Sequence, residues 1–181
     1  MSQAPAPLRY DALARSMHWA SALLIVAAFV MGLTIDALPK EMRPAYLNAH
    51  ALAGIAILVL AFVRLGWRAG HPAPPPPVGT TSLGALAIKL GHGALYLFMI
   101  AVPLIGFAPL FTRGRGVDFG LFQIASPIPV TKPWIGLTTE IHEIAAYALI
   151  ALAAGHVAAA FYHQFALKDG VLSRMVPDRT A

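Results

Sequence analysis

IHEIAAYALIALAAGHVAAAFYHQFAL, residues 141 to 167, is the stretch from which the rest of the chain can be read. From Ile144 to Leu167 it contains no Asp, Glu, Lys or Arg. A helix needs about 20 such residues to cross roughly 30 Å of hydrocarbon. His142 and His156 are 156 − 142 = 14 residues apart. That separation is nearly four helical turns and about 21 Å of rise, so both side chains leave roughly one face of one helix at two depths.

Three more stretches have the same character: Ser16 to Ile35, Pro44 to Val63 and Leu90 to Thr112, each without a charged residue. The whole chain of 181 residues is 58% hydrophobic and 12% charged, with mean hydropathy +0.68. Those values lie outside the range of an ordinary soluble domain. The expectation is an all-α integral membrane four-helix bundle forming one domain over residues 1–181, with lipid as its solvent. Arg9 and Arg15 precede the first run as in a secretory signal, but the run is long and lacks a small-x-small exit. Pro72 and the run Pro74 to Pro77 make a stiff extended connection between the second and third spans. Gly114, Gly116, Pro127, Pro129 and Pro133 argue against a regular helix between Arg113 and about Thr138. Pro103 and Pro109 fall inside the third span, where neighbouring helices can satisfy the freed carbonyls.

The net charge of +5 does not form the basic stripe of a nucleic-acid binder. Arg9, Arg15, Arg64, Arg68, Lys89, Lys168, Arg174 and Arg179 fall on one side of the four spans, against Lys40, Arg43, Arg113, Arg115 and Lys132 on the other. The positive-inside rule then places both termini in the cytoplasm. With no cysteine, disulfides, thiolate metal sites, cysteine-ligated clusters and covalent haem attachment are excluded.

Ionisable side chains inside spans are costly, so the histidines are candidate functional groups. His18 opens the first span and His50 the second, which runs the opposite way, so they lie at opposite depths. His142 is therefore level with His50, and His156 with His18. Histidines facing each other across a bundle are what bis-imidazole haem ligation requires. The third and fourth residues after each are small: Ser21 and Ala22, Ala53 and Gly54, Ala145 and Ala146, Ala159 and Ala160. Gly54 in particular leaves room for a porphyrin beside His50. After His92 the same positions hold Leu95 and Tyr96, which sets it apart as an interhelical hydrogen-bonding residue. His163, near the membrane exit, is open to a solvated reading or contact with a polar headgroup, and His71 in the proline-rich connection reads as incidental.

Taken together, RSMHW (residues 15–19), NAHALAGI (48–55), GHGALY (91–96), IHE (141–143) and GHVAAAFYHQFALKDGVLSRMVP (155–177) resemble the bacterial di-haem cytochrome b561 family, which is related to the cytochrome b subunits of hydrogenases and formate dehydrogenases. The likeness covers nearly the whole chain, and its last motif is the most specific. It implies two b-type haems whose iron is ligated by His18, His50, His142 and His156. It also implies, for the best-defined member type, electron transfer from periplasmic superoxide to ubiquinone. Tyr162 stands where some relatives carry a histidine before the one matching His163, a departure at the quinone end.

On this reading Arg113, Arg115 and Lys132 stand where they can steer an anionic donor, superoxide or another one-electron reductant. Within redox chemistry the competing expectation is a haem-bearing anchor for a peripheral dehydrogenase or hydrogenase. From another class, a non-haem metal transporter would place carboxylates in its spans, and these four cores contain none.

Overall fold

The computed structural model describes residues 9–176, so Arg179 and Pro177 lie outside the described residues. Four helices carry the fold: α1 (Ala12–Thr34), α2 (Arg43–Gly70), α3 (Ser82–Thr112) and α4 (Lys132–Phe161). All four are long and apolar enough to cross a membrane. Their ends follow local chemistry. Asp11 caps α1 by accepting from the Ala14 N–H at 2.8 Å, and Thr81 caps α3 by accepting from Gly84 at 3.1 Å. In α2 and α4 a proline occupies the first turn, where its missing N–H costs nothing.

Successive helices pack side by side, α1 on α2, α2 on α3 and α3 on α4, so the chain runs up and down. Ala28, Ile57, Ala61, Met99, Val102 and Leu149 form the buried centre. Leu149 lies seven residues from both His142 and His156, so this apolar plug separates the two histidine levels. Large apolar side chains face outward, including Leu23 at 71% exposure, Leu97 at 62% and Ile144 at 61%. Such a surface suits lipid and would be a liability in water.

Several expectations are corrected. The second helix runs past Val63 to Gly70, so Arg64 and Arg68 are helical residues and not loop charges. The third begins at Ser82 and takes in Lys89. The expected irregular segment up to Thr138 ends early, because α4 starts at Lys132. Pro133 sits in its first turn, where proline initiates a helix instead of breaking it. What remains of that loop holds a short antiparallel pair, β1 (Val117–Asp118) and β2 (Gln123–Ile124). Gly116 is required there, since a Cβ would collide with the Ile124 carbonyl.

At the opposite end, α4 leaves through a π-helical turn, Tyr162–Leu167, before Lys168 takes a left-handed conformation. The C-terminal segment then folds back onto the bundle. Trp19 Nε1 donates to the Met175 carbonyl at 2.9 Å and Arg174 Nη1 to the Pro75 carbonyl at 2.6 Å. These bonds tie the proline-rich connection and both chain ends into one cluster, called here the terminal end; the other is the hairpin end.

Candidate functional site

Histidines from different helices meet at each level. Near the hairpin end the rings of His50 (α2) and His142 (α4) have centroids 6.0 Å apart; near the terminal end His18 (α1) and His156 (α4) are 6.2 Å apart. An imidazole nitrogen sits about 2 Å from a metal it binds, so two trans imidazoles on one metal put their ring centres roughly 6 Å apart. Both pairs have that separation. His92 (α3) also approaches His156, at 5.4 Å, which is shorter than trans ligation wants.

The helices bearing each pair are not close neighbours in the bundle. Close packing joins α1 to α2, α2 to α3 and α3 to α4, while the facing histidines bridge α1 to α4 and α2 to α4. Phe29 and Tyr147, edge to face at 5.6 Å, act as bulky spacers between α1 and α4. His50 is aimed by a 2.9 Å hydrogen bond between Nδ1 and the Ala28 carbonyl, which leaves Nε2 for the interior. His142 Nδ1 is buried beside the Val102 carbonyl, without a hydrogen bond of good geometry. Paired imidazoles at ligation distance, borne on helices that do not pack closely against one another, fit a flat bis-histidine metal macrocycle.

A register that sequence reasoning missed organises both levels. Each helix presents two residues fourteen apart: His18 and Gly32, His50 and Arg64, His92 and Gly106, His142 and His156. Gly32 faces the His50 ring, where an added Cβ would lie 3.5 Å from Cε1. Gly106 faces the His142 ring, where it would lie 2.9 Å from Cε1. At the hairpin end, then, two histidines are flanked by two glycines. At the terminal end the flanking residues are Arg64 and His92. The equal spacing was visible in the sequence, but nothing marked those glycines among fifteen.

Gly54, expected to leave room beside His50, has one near neighbour for an added Cβ, on α3. An added Cβ there would meet the Pro103 Cβ at 3.8 Å, an ordinary contact on α3. Gly54→Ala should therefore keep normal haem content, whereas Gly54→Leu should disturb the α2–α3 seam beside His50 and lower occupancy at the hairpin end. Haem per chain measures both, and full occupancy in the leucine variant would remove Gly54 from the site.

Of the three outer cations, Arg113 is tied down. It donates to the Pro109 carbonyl at 2.8 Å and to Thr139 Oγ1 at 2.9 Å, and burial with the neighbouring Arg115 charge pulls its pKa below the usual arginine value. Arg115 and Lys132 are exposed. Arg115 lines a cleft of about 600 Å³ between the start of α2 and the hairpin. Asn48 closes that cleft with two bonds to Asp118, donating to its carbonyl at 2.9 Å and accepting from its N–H at 2.8 Å.

At the terminal end, His163 Nδ1 lies 2.5 Å from Asp169 Oδ2. Burial pushes the Asp169 carboxyl up, but bonds from His163 and the Val171 N–H, with the His163 and Arg174 charges, hold it below the ordinary range. His71 stacks on Trp67 at 3.7 Å, a helix-end contact.

A bundle of four apolar helices with paired histidines at two depths defines a membrane cytochrome of the b type. The sequence matches the family described as Prokaryotic cytochrome b561 over residues 9–178, and the chain belongs to that family. It is 28% identical to "Cytochrome b561 homolog 2" of Escherichia coli, covering 97% of this chain and 95% of that one. It is 32% identical to "Probable superoxide oxidase CybB" of Yersinia pestis, covering 94% and 97%, and 33% identical to "Cytochrome b562" of Cereibacter sphaeroides, covering 99% and 100%. Membership makes this a haem-bearing electron-transfer protein of a prokaryotic membrane.

Proposed function

We propose that the chain is a di-haem cytochrome that takes single electrons from superoxide at the hairpin end and delivers them to ubiquinone at the terminal end. The observation that carries this reading is the pair of histidine sets, 6.0 and 6.2 Å between ring centres, separated by an apolar plug. His50 with His142 and His18 with His156 would hold the two groups, and haem b supplies at each a metal that changes by one electron. Superoxide gives up one electron and leaves as oxygen, whereas ubiquinone takes up two electrons and two protons. Two one-electron sites in one chain suit that mismatch.

The polypeptide contributes the rest. Arg115 and Lys132 attract an anion to the hairpin end, and Asn48 with Asp118 keeps the hairpin over the His50–His142 level. At the terminal end the carboxylate of Asp169 orients His163, which can then hold a proton for a quinone oxygen. The name of the Yersinia relative supports superoxide as donor. Among the described residues, no three His, Cys, Asp or Glu side chains are arranged to hold a metal ion by themselves, which disfavours the transporter reading.

The test is spectroscopic. Purified chain should carry two haems by pyridine assay, be reduced by enzymatically generated superoxide, and be reoxidised by ubiquinone. Reduction that persists when superoxide dismutase is added would show that superoxide is not the donor. The lysine and arginine bias supports a periplasmic hairpin with both termini in the cytoplasm. Protease added to spheroplasts should then cut between Arg115 and Thr131 and spare the C-terminal tail. Loss of the tail from outside would reverse the orientation.

A further inference from the structure

The fourteen-residue register leaves one side chain that the haem ligands do not account for. Arg64 occupies on α2 the terminal-end counterpart of His50, 64 − 50 = 14 residues on, so it shares that face and points into the bundle at the level of His18 and His156. Its Nη1 donates to Ser21 Oγ at 3.0 Å, and its guanidinium carbon lies 5.4 Å from the Tyr96 ring centre. Ser21 is only 2% exposed and its own hydroxyl donates to the Met17 carbonyl at 2.7 Å.

A cation in this position needs an anion. Charge within an apolar bundle is costly unless compensated, and a hydroxyl and an aromatic face supply partial charge only. No ion pair joins Arg64 to a carboxylate among the described residues, and α1, α2 and α3 contain no Asp or Glu at all. Asp11, at that end of α1, is already engaged by the Ala14 N–H and Trp67 Nε1. The hairpin-end level has glycines in the flanking positions and no such charge.

We infer that Arg64 is the counter-charge for a propionate carboxylate of the haem held at the terminal end, with Ser21 and Tyr96 holding the guanidinium in place. The inference rests on the haem reading above. Its consequence is directional. A fixed positive charge beside one of two otherwise similar groups favours the reduced state there, so the terminal end becomes the higher-potential site and draws electrons away from the hairpin end.

Reconstitution separates this role from a merely structural one. Full-length chain made under haem limitation is titrated with haem b and with its dimethyl ester, which lacks the carboxylates, in a His50→Ala background so that only the terminal end binds. The wild-type residue at position 64 should prefer the free acid by about 10–100-fold, the usual range for a supporting contact to a metal group. Arg64→Met should abolish that preference, and Arg64→Lys should restore part of it. In a redox titration of the chain with both ligand pairs intact, Arg64→Met should lower the potential of one haem and leave the other unchanged.

Equal uptake of acid and ester with Arg64 present would overturn the inference even if no Arg64 variant folds. A free-acid preference that survives Arg64→Met would also overturn it, assigning the carboxylate to another partner. A wild-type chain that takes up no haem would instead sink the haem reading itself.

Discussion

Replacing His142 with alanine should remove the same haem as replacing His50, and His156→Ala the same haem as His18→Ala, leaving one per chain in every case. The ring separations of 6.0 and 6.2 Å support this pairing. Crossed pairs, His50 with His156 or His18 with His142, would have to span about 21 Å, the rise over fourteen helical residues. His92 is the serious rival at the terminal end, since it lies 5.4 Å from His156. Its Nδ1 bonds at 2.8 Å to the Ile88 carbonyl, which leaves Nε2 free just as in His50, but Leu95 and Tyr96 follow where a porphyrin would need small residues. His92→Ala should therefore retain both haems while shifting the terminal-end potential. Haem per chain and a redox titration of all five variants decide the matter. A two-haem His18→Ala beside a one-haem His92→Ala would transfer the ligand role to His92.

The second large effect belongs to Gly106. A Cβ there would lie 2.9 Å from Cε1 and 3.2 Å from Nδ1 of His142, closer than real contacts allow. A free imidazole can turn away from such a contact, but a His142 that holds a metal group would be fixed in orientation and could not. Gly106→Val should thus cost the hairpin-end haem while leaving the terminal-end haem in place, with about 1–3 kcal/mol of overpacking strain as the cause. Gly32→Ala, whose Cβ would meet His50 at 3.5 Å, is the matched control and should be tolerated. Paired spectra and haem counts would test this, and a Gly106→Val chain with two normal haems would mean that His142 does not hold a fixed position.

The two substitutions probe the part of the site that was legible in the sequence and the part that was not. His18, His50, His142 and His156 could be sorted by depth because span length and helical rise are local properties, and alternating direction then sets which ends are level. Gly54 was legible because it follows His50 on the same helix, and its one near neighbour for an added Cβ is Pro103. The glycines that face His50 and His142 come from α1 and α3. Arg64 fell outside the second span because the apolar run ends at Val63, while the helix itself continues to Gly70.

What the sequence by itself determined is therefore the count of helices, their alternation and the depth of each histidine, all consequences of hydrocarbon thickness and a 1.5 Å rise. Only the tertiary structure decided which face of each helix turns inward. Helices that are apolar on all sides carry little information about their own rotation, because lipid and protein neighbours solvate them almost equally well. Rotation is settled by close packing along α1–α2, α2–α3 and α3–α4, and that packing brings Gly32, Arg64, His92 and Gly106 onto the two histidine levels.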